Sequence, residues 1–346
     1  MKYDVIIIGG GQAGLSMGYY LKKSSLSYLI LDELSEIGEV WKNRYDSLQL
    51  FTPSYFSSLP GFNLDSDSYP TKDDVADYLK QYVKRFSLPL QMNTKVNRLF
   101  LINGEFVIET NQGSIKANNV VVATGPFQKP YIPDFSSLMS KEVLQIHSSE
   151  YKNPSQLKPG TALVVGGGNS GAQIADELSK DRKVFLSVGH KMVFLPQDVG
   201  NKSIFWYLDK LGVYKASHNS LFGKMLKKRP DPIFGYRLKR LIKNGTITLK
   251  PRAISSEKNL ILFEDKTQIK VDNVVWATGY KPDYNWIELN EIFNDKGFPT
   301  HNRGVTSQKG LFFLGLPWQH NRSSALIQGV GEDASYIYTQ LKESNS

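Results

Sequence analysis

Residues 5–8 (Val-Ile-Ile-Ile) form a run without a polar position, too apolar for a strand with one wet face, and predict the central strand of a parallel sheet. Gly9, Gly11 and Gly14 follow in GxGxxG spacing, with a helix expected over 12–22. A second apolar run, 28–31, ends at Asp32, eighteen residues past Gly14. From 37 to 62 the aromatics, prolines and serines keep neither a helical nor a strand period, which predicts an irregular segment folded over something. Thr71 and Asp74 then make a capping-box pattern, and Val75, Leu79, Tyr82, Val83 and Phe86 recur at helical spacing, the signature of an amphipathic helix. A meander with strands at 98–102, 105–110 and 120–122, separated by Asn103-Gly104 and Gln112-Gly113 turns, ends in Ala123-Thr124-Gly125-Pro126. Residues 130–159 are proline-punctuated and irregular, as suits a crossing between domains.

At Thr161 the opening pattern returns, with an apolar strand at 161–165, a second GxGxxG at Gly166, Gly168 and Gly171, and a helix from 172 to 180. Segments 246–250, 259–264 and 269–271 predict a second meander, and 274–279 closes with Ala277-Thr278-Gly279. Gly9 to Gly166 spans 157 residues and Gly125 to Gly279 spans 154, so a whole unit recurs. A strand at 310–315 and a helix at 323–341 complete the first unit. The predicted fold class is α/β, with two Rossmann-like dinucleotide-binding domains, the second inserted into the first. The first domain comprises 1–156 and 283–346, the second 157–282. Within the second, 201–244 is a helical insertion with Phe205, Leu208 and Leu211 on one face, which either caps a substrate channel or only buries its own stripe.

In each glycine triplet the first permits a tight turn, the second lets backbone approach a pyrophosphate, and the third lets helix pack on strand, while the helix amides point at the phosphate. Asp32, with Glu33 beside it, can take the hydroxyls of an unphosphorylated ribose, which fits FAD. The second unit has no acid at the corresponding count, Gly189. Ser187, His190 and Lys191 stand nearby, and the basic pair either meets the 2′-phosphate of NADPH or is a solvated loop. Ala123, Thr124 and Gly125 are either a cofactor contact or a structural crossover. Two glycines early in the last helix, in the Gln-Gly-Val-Gly run from Gln328, cost about 1 kcal/mol each relative to alanine. Either the flavin ring at the positive helix end or a packed neighbour comes close there.

Composition narrows the class further. The 346 residues, 40% hydrophobic and 22% charged, suffice for two globular cores, and no apolar run approaches the ~20 residues of a membrane span. The chain enters its first strand directly, so a cytoplasmic location is expected. With no cysteine, a disulfide framework, a thiolate nucleophile and a CxxC redox pair of the thioredoxin-reductase type are excluded. The net charge of +9 is densest over 202–250, where no recognition motif and little aromatic interleaving occur, so solvated lysines are expected rather than nucleic acid. The five histidines lack ligand spacing and no G-x-S-x-G elbow is present, so no metal is expected and the hard chemistry falls to cofactors.

Seven stretches together are specific. They are GGGQAG from Gly9, GEVWKNRYDSLQLFTP from Gly38, YPTKDDVADYL from Tyr69, ATGPFQKPYIP from Ala123, HSSEYKNP from His147, GGGNSGAQIA from Gly166 and WATGY from Trp276. On these the chain resembles the flavin-containing monooxygenases of the two-dinucleotide-domain class, most of all the small bacterial CzcO-type oxidoreductases and more distantly the plant YUCCA enzymes. The resemblance implies that NAD(P)H reduces FAD, that O2 adds to give a flavin hydroperoxide, and that the distal oxygen passes to a soft sulfur, a nitrogen or a carbonyl. The candidate cofactor residues are Gly9, Gly11, Gln12, Ala13, Gly14, Asp32, Glu33, Val40, Trp41, Arg44, Val96, Ala123, Thr124, Gly125 and Gln328 for FAD. For the nicotinamide they are Gly166, Gly168, Asn169, Ser170, Ser187, His190 and Lys191. The asparagine that many members place beside the flavin falls at Phe51 or Thr52, the candidate catalytic positions. The family's FxGxxxHxxxY fingerprint, attributed to domain communication, keeps His147 and Tyr151 but has Lys141 and Val143 for Phe and Gly. The arginine that commonly grips the 2′-phosphate aligns with Ser187, which leaves NADH beside NADPH. The expected partners are a small-molecule substrate and O2, with no nucleic acid and no membrane, and a homodimer is left open. A flavin reductase or oxidase serving a quinone, a metal ion or O2, and a redox-sensing nucleotide-binding module, are the rival readings.

Overall fold

The computed structural model describes residues 2–65, 69–289 and 291–344. Lys2–Ile8 is a strand whose last four residues are fully buried, and it lies parallel between Tyr28–Leu31 and Gly113–Val122 at the centre of a seven-stranded sheet. Leu90–Gln91 extends the sheet beyond Tyr28–Leu31, while Glu105–Thr110 and Val96–Ile102 continue it antiparallel on the other side. The expected strand at 120–122 is the end of a continuous ten-residue strand. Its first half pairs with Glu105–Thr110 and its second half with Leu311–Phe313, so one strand serves both the meander and the parallel ladder. Asn119 tolerates burial within it because its side-chain amide donates to the Asp4 carbonyl at 3.0 Å.

Helices Gln12–Leu21, Lys72–Phe86 and Ile327–Ser344 cover one face, burying Leu15, Met17, Leu79, Tyr82, Val330 and Ile337 in a common core. The Lys72 helix starts as its spacing predicts. Thr71 Oγ1 accepts from the Asp74 amide at 3.2 Å, and the Asp74 carboxylate accepts from the Thr71 amide at 2.8 Å. The irregular segment 37–62 holds one short helix, Glu39–Lys42, and a 3-10 turn, Ser54–Phe56. It is folded over the Lys72 helix, where Tyr78 accepts from the Leu59 amide and donates to the Phe62 carbonyl, and Tyr82 donates to the Pro60 carbonyl.

The second sheet is wholly parallel, in the order Ile247–Lys250, Val184–Ser187, Ala162–Val165, Asn273–Trp276, Leu144–His147. Two of these strands depart from the sequence pattern. Leu144–His147 lies in the stretch expected to be irregular; it is an edge strand, held from one side only. The segment expected to open the second meander is instead the outer strand Ile247–Lys250. Pro251 ends it, and the antiparallel meander is Ala253–Glu257, Leu260–Phe263 and Gln268–Lys270.

The chain crosses between the sheets twice, and the crossings are joined. Lys129–Pro130 pairs antiparallel with Tyr280–Lys281, and the Tyr131 amide donates to the Gly279 carbonyl at 2.9 Å. The insertion has three seven-residue helices, Ile204–Lys210, Leu221–Lys227 and Arg237–Lys243. Phe205 is buried against Phe234 and Tyr214, but Leu211 is 75% exposed. The expected apolar stripe fails at Leu211 because the helix stops at Lys210, which leaves Leu211 as its C-terminal cap. Among the described residues no helix is long and apolar enough to cross a membrane.

Thr71→Ala is expected to cost about 1 kcal/mol, read as a lower urea midpoint at unchanged slope, with Thr71→Ser close to neutral.

Candidate functional site

Both glycine triplets form the same object. Gly9 has φ +110°, and a Cβ there would lie 2.5 Å from the Ala123 carbonyl oxygen; a Cβ on Gly14 would collide with the Gly9 carbonyl. A Cβ on Gly11 would meet nothing within 4 Å. The first and third glycines are therefore required by packing, and the second borders open space. Helix Gln12–Leu21 begins there with no side-chain cap and no acidic residue in its first turn, so its leading amides face outward without a partner of their own. Asp32 stands at the adjacent strand end, where its carboxylate accepts from the Gly10 amide at 2.6 Å and the Leu34 amide at 2.9 Å.

In the second triplet Gly166 has φ +125° and no room for a Cβ beside the Ala277 carbonyl, Gly171 is packed on the Gly166 carbonyl, and Gly168 borders open space. Helix Asn169–Leu178 again starts uncapped and without an acid, which leaves Asn169 and Ser170 at its mouth. The partner of Asp32 is Val188, one residue earlier than the count from Gly171 predicts. A Cβ on Gly10 would touch Asp32, and one on Gly167 would touch Val188. The ladders agree, since the Gly9 amide donates to Leu31 and the Gly166 amide to Ser187.

Ser187 does not face this crevice. It is 2% exposed, its hydroxyl donates to the Pro251 carbonyl at 2.8 Å and accepts from the Ala253 amide at 3.0 Å, and so it ties the parallel sheet to the meander. The expectation that it contacts the nucleotide is corrected. His190 and Lys191 are exposed and border a cavity of about 480 Å³ with Val188, Lys239 and Lys250. Lys250 and Lys239 escaped the sequence reading because the first is brought there only by the pairing of Val184–Ser187 with Ile247–Lys250, and the second by the helix Arg237–Lys243 packed on that outer strand.

The remaining candidates divide. Gln12 donates to the Ala325 carbonyl at 3.3 Å, Ala13 is buried, and Val96 is half-buried against the core cluster that includes Ile8, Leu31 and Val122. Trp41 packs on the core of the first sheet, while Val40 and Glu33 are exposed. Arg44 donates to the Tyr280 hydroxyl at 2.9 Å and lies over the Phe127 ring, so it grips both crossings. Thr124 Oγ1 and the Gly125 carbonyl both accept from Gln128. Phe51 stacks on Phe234 and Phe205 of the insertion, and Thr52 Oγ1 lies 2.8 Å from Ser57 Oγ. Phe51 has no side-chain donor, and the buried Thr52 hydroxyl is engaged with Ser57. Gln328 keeps a buried Oε1 without a partner, beside a second cavity of about 500 Å³ that Arg303, Tyr20 and Ser58 also line. Of the two alternatives for the helix glycines, the packed neighbour is present at both. A Cβ on Gly329 would collide with Ser323, and one on Gly331 would lie 2.5 Å from Pro60.

His147 holds the returning crossing. Its Nε2 donates to the Gly279 carbonyl at 3.1 Å, its Nδ1 accepts from the Ser149 amide, and its ring edge meets Tyr280. Burial depresses its pKa below the ordinary 6.5. Tyr151 donates to Glu177 at 2.7 Å, which anchors the same segment on the Asn169 helix.

Comparison with known proteins places this architecture. Residues 6–194 match the family described as pyridine nucleotide-disulphide oxidoreductase. The chain belongs to that family and is an oxidoreductase. A CzcO-like oxidoreductase of Geobacillus kaustophilus is 54% identical over 340 residues, covering 98% of each chain. An indole-3-pyruvate monooxygenase of Oryza sativa is 27% identical, covering 97% of this chain and 86% of that one. Among solved structures, a flavin-containing monooxygenase from Stenotrophomonas maltophilia superposes with a TM-score of 0.84 at 26% identity, covering 100% of this chain and 99% of that one. The disulphide in the family's description has no counterpart in these residues, which contain no cysteine.

Gly14→Ala is expected to destabilise by about 1–3 kcal/mol through overpacking, whereas Gly11→Ala, at φ −75° with its methyl in open space, leaves the thermal midpoint of nucleotide-free protein unchanged. The depressed pKa of His147 means that its contribution is present in full above pH 6.5 and is lost as the pH falls through the depressed folded value. His147→Gln should therefore flatten part of the decline in thermal midpoint between neutral pH and pH ~5. His301 and His320, also lowered by burial, keep a residual slope.

Proposed function

We propose that the protein is a FAD-containing, NAD(P)H-dependent monooxygenase acting on a small organic substrate with O2. On this reading each sheet is the frame of a dinucleotide-binding domain, the first for FAD and the second for the nicotinamide; the boundary expected at 156 moves ahead of Leu144, because the strand Leu144–His147 lies in the second sheet. The observation that carries it is the pair of glycine cradles, each with its first glycine against an alanine carbonyl and its third against the carbonyl of the first, of which one has a carboxylate at its strand end and the other a valine. A carboxylate there suits the free ribose hydroxyls of FAD and repels a 2′-phosphate, and a valine does neither.

The residues fit both nucleotides. The open space at Gly11 and the uncapped amides of the Gln12 helix would take the FAD pyrophosphate, with Asp32 on the ribose and Val96 near the adenosine end. Gly168, Asn169 and Ser170 would take the nicotinamide pyrophosphate, and His190 and Lys191, with Lys239, would face a 2′-phosphate when NADPH is used. When bound, FAD supplies the two-electron carrier between NAD(P)H and O2. The chain's own contribution is to orient the two dinucleotides through helix amides and to keep the crossing closed by the contacts of Arg44 and His147 with Tyr280 and Gly279. Likeness over the whole chain to a protein named a flavin-containing monooxygenase supports the oxygenating reading.

One observation favours a second reading, in which electrons pass to an acceptor without oxygen insertion. Phe51 is locked in an aromatic stack and Thr52 is bonded to Ser57, so neither side chain is free to steady a bound oxygen species.

With a suitable sulfide or ketone, purified protein is expected to consume NADPH in excess of the peroxide released and to form oxygenated product. Stoichiometric peroxide with every substrate would leave only the second reading.

A further inference from the structure

Twelve of the 42 basic residues but only two of the 33 acidic ones lie between 202 and 250, which leaves 30 and 31 elsewhere. The entire positive excess thus sits on the insertion and the strand that follows it. Solvated lysines account for that charge but not for what stands among it. Leu221 is 89% exposed and Leu211 75%, and Phe222 and Met225 are exposed as well. Leu221, Phe222 and Met225 share the helix Leu221–Lys227 with Lys224 and Lys227, and Lys228 and Arg229 follow directly. Just ahead of the preceding helix, Ile204–Lys210, the Lys202 ammonium lies 3.6 Å from the centre of that helix's Trp206 ring. The ion pairs that reach the insertion use Arg237 and Asp231, so among the described residues the basic groups between 202 and 229 are not neutralised.

We propose that this face docks on an anionic lipid surface, with Leu211, Leu221, Phe222 and Met225 entering the interface and the surrounding lysines meeting lipid phosphates. Protruding leucines and an aromatic beside lysines are the composition that enters a headgroup layer, where long ammonium side chains reach the phosphates while their stems stay apolar. The charge argues against a second copy seated face to face, since two such surfaces repel. Leu221, Phe222 and Met225 stand out from a seven-residue helix and Leu211 from the cap of another, and none of them lines either cavity described above; a lipid surface buries such protruding side chains without a groove. The chain crosses no membrane on this account; it lies on one.

The test is co-sedimentation of the full chain with vesicles of phosphatidylcholine alone and of phosphatidylcholine mixed with phosphatidylglycerol. Binding is expected only to the mixed vesicles and should weaken as ionic strength rises above ~0.1 M, where the screening length is about 10 Å. Leu221→Ser with Phe222→Ser should reduce the partition coefficient about ten-fold through lost apolar burial, and Lys224→Gln with Lys228→Gln should reduce it while flattening the salt dependence. Because Leu221 is almost fully exposed, an unchanged thermal midpoint should certify that the first variant is folded. A chain that stays in the supernatant with anionic vesicles overturns the proposal, as does equal binding by the Leu221→Ser/Phe222→Ser variant. Self-association abolished by that same variant in size-exclusion chromatography would also overturn it, assigning the face to a second copy.

Discussion

The close passage of Gly9 beside the carbonyl of Ala123, repeated by Gly166 beside Ala277, is the constraint on which the rest of the structure depends. Each contact brings the end of a central strand against the segment by which the chain leaves that sheet, and neither leaves room for a side chain. Gly14 and Gly171 add the second half of the device by pressing a helix onto the same turn. Because these contacts are made by backbone, the two copies could diverge in every side chain around them. Asp32 and Val188 occupy one position in the two copies, and that difference is chemical rather than architectural.

The same constraint explains how the sheets are coupled. Each Ala-Thr-Gly segment runs from its strand end straight into a crossing, and the crossings are stitched by main-chain pairing and by Arg44, His147 and Tyr280. The loop 37–62 links this junction to the insertion, since Phe51 stacks on Phe205 and Phe234 while Tyr78 and Tyr82 hold the loop on the Lys72 helix. Glycine turns, crossings and loop thus form one connected set of contacts around the crevices at the strand ends.

Much of this was legible in the order of residues. The apolar runs, the glycine spacing, the Thr71–Asp74 box and the repeat at Gly166 are local patterns, and local patterns specify strands, turns and caps directly. What escaped depends on neighbours distant in sequence. Leu144–His147 is a strand only because Asn273–Trp276 lies beside it, and Ser187 is buried only because Pro251 and Ala253 meet its hydroxyl. Gly329 and Gly331 signalled a close approach correctly, but nothing in the chain order could say that the approaching groups were Ser323 and Pro60. A shorter loop after the second helix likewise displaced the strand-end position from Gly189 to Val188, which counting alone could not detect.

The central claim is that two separate crevices, one at Gly11 and one at Gly168, each hold one dinucleotide. Equilibrium titration of the purified chain tests it most directly, with bound FAD counted by its absorbance and NADP+ titrated into the flavin-loaded protein. The account predicts one FAD per chain and one further NADP+ that binds without displacing it, with Gly168→Trp abolishing the second event alone. A chain that takes no FAD, or one in which NADP+ and FAD compete for a single place, would contradict it.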